Sequence, residues 1–154
     1  MKLSENLDLS ELVRSESAKR HGIKNMPTEK HIENLKLLAN KVFQPIRDHF
    51  KVPIRISSGY RSQELNKKIG GSQTSQHSKG EAIDIDMDGT SVTNKQIFDF
   101  IIHNLDFDQL IWEFGTETNP DWVHVSYTNG KNRKQALRAY KLHSKTVYTN
   151  YEKA

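Results

Sequence analysis

Side chains able to ligate a metal fall in two short segments, Ser75-Gln76-His77-Ser78-Lys79-Gly80-Glu81-Ala82-Ile83-Asp84 and Trp122-Val123-His124-Val125-Ser126-Tyr127. Zinc takes imidazole nitrogen and carboxylate oxygen at about 2.0–2.2 Å, and a catalytic site keeps three protein ligands and one open position. His77, Asp84 and His124 supply that count. With His77 on a loop, Asp84 on the next strand and His124 on a third element, the donors approach from three directions, which one helix cannot offer. Gly80 lets the chain turn between the first two ligands. Each residue alone has an ordinary reading, as a loop histidine, a sheet histidine or a surface carboxylate. Together they point to a cation, because Asp84 and Asp86 share a strand face that is unfavourable to bury without a cation or donors. Calcium is the competing metal, since Asp84-Ile85-Asp86-Met87-Asp88-Gly89 matches the start of an EF-hand loop. Its twelfth position is Lys95 where a bidentate glutamate is needed, and an alternating strand rather than a helix leads into it.

The elements that must position these groups are legible in outline. Asp8-Leu9-Ser10-Glu11 has capping-box character and predicts a short helix running to about Arg20 and stopping at Gly22. Pro27 and Thr28 open a longer helix whose apolar face is Ile32, Leu35, Leu38, Ala39, Val42, Phe43 and Ile46, with a kink expected at Pro45. A strand over 54–58 ends at Gly59, and a second short helix from Ser62 to Ile69 stops at Gly70-Gly71. Residues 72–78 read as a loop and 81–87 as a strand with one apolar and one acidic face. A helix capped by Thr93 carries Ile97, Phe98, Ile101 and Ile102. Strands are predicted over 109–114, 122–127, 136–142 and 145–151. Helices first and strands later, without regular alternation, predict an α+β domain with a mostly antiparallel sheet.

Composition bounds the alternatives. The 154 residues fit one domain, residues 1–154 with a core over about 9–148, and the 34% hydrophobic and 27% charged content describes a globular chain with a modest core. No cysteine is present, so any metal must be held by histidine and carboxylates. No apolar run is long enough to span a bilayer, and no membrane insertion is expected. The N-terminal stretch lacks the apolar region of a secretory signal, which leads to an expectation of cytoplasmic synthesis. The net charge of +4 is scattered rather than striped, which reads as a solubility excess over the surface more than as an attraction to polyanions, and nucleic acid is not an expected partner. Nothing bears on oligomeric state beyond a monomer as the default.

The pattern S-x-H-x-x-G-x-A-x-D over Ser75 to Asp84, followed by Trp122-Val123-His124, resembles the zinc D,D-peptidase family. That family includes D-Ala-D-Ala carboxypeptidases, vancomycin-resistance dipeptidases and phage L-alanyl-D-glutamate endolysins. Ser57-Ser58-Gly59-Tyr60-Arg61-Ser62 looks like the segment preceding the metal motif there, and the resemblance continues through Phe107 to Phe114. It implies a Hedgehog/D,D-peptidase-like fold with N-terminal helices on a sheet that carries a single zinc site. It also implies one Zn²⁺ on His77, Asp84 and His124, with Arg61 steadying a substrate oxyanion or carboxylate. The family places its general base three residues before the last histidine, here Asp121. Residues three apart on a strand face opposite ways, so Asp121 serves only from a loop or bulge, which Pro120 favours; Glu113 is the rival base. Asp86 and Ser126 are candidates to hydrogen-bond the ligands or, equally, to face solvent. Tyr60 and Trp122 are candidates for the substrate groove, with core or rim packing as the alternative, as for Trp112 and Tyr127. The implied substrate is a peptidoglycan stem peptide, and the implied setting is a lysin released through a separate pore protein or carried on a virion. A non-catalytic zinc-stabilised binding or virion structural module of the same fold is the alternative function.

Overall fold

Local signals explain the elements of the computed structural model, which describes residues 1–152. A small hairpin, β1 (Lys2–Ser4) and β2 (Leu7–Asp8), opens the chain. The predicted first helix is two, α1 (Leu9–Val13) and α2 (Glu16–Arg20). Asp8 and Glu11 close the expected capping box on α1, but Ser15 is itself an N-cap, its hydroxyl accepting from the Ala18 amide, and restarts the helix after an extended Arg14. The long helix forms from Thr28 onward as α3 (Glu29–Leu38), a π turn (Ala39–Phe43) and α4 (Gln44–Phe50). The helix is irregular in the turn directly before Pro45. A proline ring would clash with the carbonyl four residues back, and the wider π turn over that stretch makes room for it.

Then follow β3 (Ile56–Ser58), α5 (Gln63–Lys68), a 3₁₀ turn (Gln76–Lys79) inside the stretch expected to be loop, β4 (Ala82–Ile85) and α6 (Asn94–Asn104). The chain ends in β5 (Gln109–Glu113), β6 (Trp122–Ser126), β7 (Gln135–Leu142) and β8 (Lys145–Asn150). The six-stranded sheet has the order β3-β4-β6-β5-β7-β8. Its pairs are antiparallel except β5 with β7, which is parallel.

Alternation divides this sheet into two working faces. Ile83, Ile85, Leu110, Trp112, Val123 and Val125 are buried on the face packed against Leu35, Leu38, Val42, Ile46, Phe98 and Ile101 of the helices. The other face carries the candidate site. The register puts its side chains in rows: Asp84 opposite His124 and His124 opposite Ile111, and, in the next row, Trp122 opposite Glu113 and Glu113 opposite Ala139.

Candidate metal centre and cleft

Asp84 and His124 meet because they are direct cross-strand partners on β4 and β6. His77 joins them from the 3₁₀ turn, which Ser75 caps by accepting from the His77 amide. Gly80 ends that turn at φ +74°, and a Cβ there would lie 2.5 Å from the His31 carbonyl oxygen of α3, so both conformation and space demand glycine. Ala82, buried completely, completes the motif under the site.

The donor geometry fits zinc. His124 Nδ1 lies 2.9 Å and His77 Nε2 3.3 Å from Asp84 Oδ1, and one ligand atom from each residue lies within 4.8 Å of the others. Tetrahedral ligands at the usual zinc distances stand about 3.4 Å apart, so the group needs little adjustment to hold an ion. His77 Nδ1 donates to the Gly59 carbonyl at 2.7 Å, which orients the ring with Nε2 aimed at the other ligand atoms. Burial alone would raise the Asp84 pKa, but the charges and hydrogen bonds of His77 and His124 outweigh it and hold this carboxyl below its ordinary range.

The three residues sit in a cleft of about 1230 Å³ that Arg61, Glu113, Phe114 and Trp122 also line. Glu113 is buried, and its carboxyl is pushed up to about 7, first by burial and also by the negative charge of Asp84, with His124 opposing. Arg61 is half-buried, its Nη2 3.5 Å from the Ser75 hydroxyl, and its buried Nε has no protein acceptor. A donor of this kind is free for a ligand oxygen. Phe114 is held at φ +55° directly after Glu113, a costly conformation for an aromatic residue that brings its ring against Trp122 at 5.4 Å.

The other residues singled out in the sequence are placed as follows. Asp121 is exposed and lies outside the cleft; its amide donates to the Glu113 carbonyl and its own carbonyl accepts from Asn94. It sits in the bend immediately before β6, outside the strand ladder. Asp86 touches no ligand and instead accepts from the Asp88 amide and Asn94 Nδ2. Ser126 is buried but binds the Gln109 backbone. Tyr60 is buried against the helices, its hydroxyl 3.1 Å from His31 Nδ1, and lines no groove; Trp112 is core. Trp122 does line the cleft.

Three supports went unread in the sequence. Gly59 supplies the carbonyl that orients His77. Asn25 holds the segment before the motif by donating to the Val13 and Tyr60 carbonyls and accepting from the Ser62 amide. Asp108 accepts from Arg133 Nε at 2.9 Å, Arg133 Nη2 at 2.7 Å and Gln76 Nε2 at 3.0 Å, which ties the His77 turn to the loop after β6. Single asparagines and aspartates in loops carry no spacing that would have announced these roles.

The family model of peptidase M15 matches residues 5–126, more than half of the chain and all three candidate ligands. The chain belongs to the peptidase M15 family. As an M15 member it is a peptidase of a zinc-dependent family, and its His77–Asp84–His124 group is one able to hold that metal. The M15 match ends where β6 ends, so β7 and β8 lie beyond it. No curated protein matches the chain.

Proposed function

We propose that the protein hydrolyses an amide bond in peptidoglycan stem peptides, as a cell-wall lytic enzyme of phage or bacterial type, with Glu113 as its general base. The observation that carries this reading is the position of Glu113, a buried carboxyl in the same cleft as the ligand group and one strand from His124. Held by His77, Asp84 and His124, zinc supplies a Lewis acid that polarises a carbonyl and acidifies water. Glu113, with a pKa near neutrality, accepts the proton of the attacking water and returns it to the leaving amine. Arg61, which lines the cleft and whose Nε has no protein acceptor, stabilises the carbonyl oxygen as it gains charge.

A structural zinc site needs no such carboxyl. Burial opposes the ionisation of Glu113, so it costs folding stability at the pH where it works as a base. That favours an enzyme over a zinc-stabilised binding or virion module. The cleft volume exceeds the few hundred Å³ of most small-ligand pockets and suits an extended peptide. The mild positive charge aids approach to anionic walls. The test is mass analysis of fragments released from purified peptidoglycan by the zinc-loaded protein. New amino groups that vanish with a chelator are expected, and the fragment masses separate D-Ala-D-Ala from L-Ala-D-Glu cleavage. Absence of chelator-sensitive release overturns the reading.

A further inference from the structure

The β7–β8 hairpin lies beyond the residues of the family match yet forms one wall of the cleft through Leu137, Lys141, Thr146 and Tyr148. Its register explains why. Glu113 pairs with Ala139 and Ala139 with Tyr148, so the three share one row on the site face. Ala139 is small and buried, and its two larger neighbours in the row, Glu113 and Tyr148, both line the cleft. In the following row Lys141 pairs with Thr146, and its ammonium donates to the Thr146 hydroxyl at 3.2 Å while lying 5.5 Å from the centre of the Phe114 ring. Among the described residues neither a carboxylate for Lys141 nor a hydrogen-bond partner for the Tyr148 hydroxyl is present. Burial, with the charges of Glu113 and Asp84, raises the Tyr148 pKa and so keeps its proton available to donate.

We propose that this hairpin is a substrate-binding wall in which the Tyr148 hydroxyl donates a hydrogen bond to the bound peptide and Lys141 pairs with one of its carboxylates. The proposal rests on the peptidase reading above and extends it to the substrate's length and charge. Arg61 follows β3 at one edge of the sheet, and Tyr148 lies on β8 at the other. Five strand spacings separate those edges, roughly 24 Å, which is several residues of extended peptide. The ligand class is therefore an anionic peptide lying across the strands, longer than the two residues that flank one bond.

Calorimetric binding to the zinc-loaded Glu113→Gln protein tests this without turnover, using a stem peptide and the same peptide with its carboxylates amidated. Lys141→Met is expected to weaken binding of the carboxylate form about fivefold or more and to leave the amidated form unchanged, with Lys141→Arg restoring it. Tyr148→Phe is expected to weaken both peptides by about threefold or more. Affinities unchanged within about twofold in both variants, or no binding of either peptide by the Glu113→Gln parent, would overturn the proposal. A wild-type protein that binds in this pattern but cleaves nothing refutes the peptidase reading and leaves the hairpin assignment standing.

Discussion

Glu113 and Asp121 are both acidic and both near the second metal segment, but only Glu113 lines the cleft that holds His124. Glu113→Gln is expected to lower kcat by about 10²–10⁴-fold while the purified protein still carries its zinc, because the amide cannot accept a proton. Asp121→Ala, which alters an exposed side chain outside the cleft, is expected to keep near wild-type kcat. An inactive Asp121→Ala with zinc bound would return the base to that residue. The Gln variant also separates catalysis from stability. At pH 8 it should melt no lower than wild type, since a neutral amide replaces a carboxylate whose ionisation burial and Asp84 oppose. Gly80→Ala acts the other way: φ of +74° and a 2.5 Å approach to the His31 carbonyl should destabilise the fold by at least about 1–2 kcal/mol, read from denaturant midpoints. The ligands were legible because their residue types and spacing have few other uses. The place of Glu113 was not, because it depends on the β5–β6 register, which puts Ile111 opposite His124 and thereby Glu113 on the cleft face.

Element boundaries were readable where a cap or a period marks them, as at Thr28, Ser62 and Thr93, each of which accepts a backbone hydrogen bond at the start of its helix. They were misread where two local signals compete, as at Ser15, where a second cap interrupts an apolar period. The parallel β5–β7 pair was invisible, since strand order follows from packing across the domain and not from any one segment. Asp108 shows how loops between elements are fixed in place of hydrophobic contact. Arg133 and then, beyond the cost of burial, Gln76 hold its carboxyl down to about 2, against about 3.9 in an unfolded chain. A lowered native pKa stabilises the fold fully above the unfolded value, and that stabilisation is lost as pH falls from about 4 toward 2. On the order of 2 kcal/mol is at stake. Urea midpoints should therefore drop over that range in wild type and less so in Asp108→Asn, which should already be weakened at pH 7. Parallel pH profiles for the two proteins would remove Asp108 from this role.

At the scale of the molecule, one sheet serves two opposed demands. One face is packed by helices into the core, and the other holds imidazoles, carboxylates and a guanidinium, which are costly to bury without partners. Without a cation, Asp84 must satisfy both histidines by itself, and two of the three ligands belong to central strands. The third hangs on a turn tied to Gly59, Asn34 and Asp108 through His77, Lys79 and Gln76. An ion at their centre therefore links β4, β6 and the turn before β4, and its binding free energy adds to that of folding. With free zinc at a hundred times its dissociation constant the gain is about 2.7 kcal/mol, or roughly 5–11 °C in the melting temperature of a chain this long. Scanning calorimetry with and without a chelator measures it. The chelated protein should melt lower by about that amount, and re-addition of zinc should restore it. His77→Ala should melt at one temperature under both conditions, because the turn then brings no donor to the strands. A wild-type melting point indifferent to chelator and to added zinc would mean that the three side chains meet without holding the metal their geometry fits.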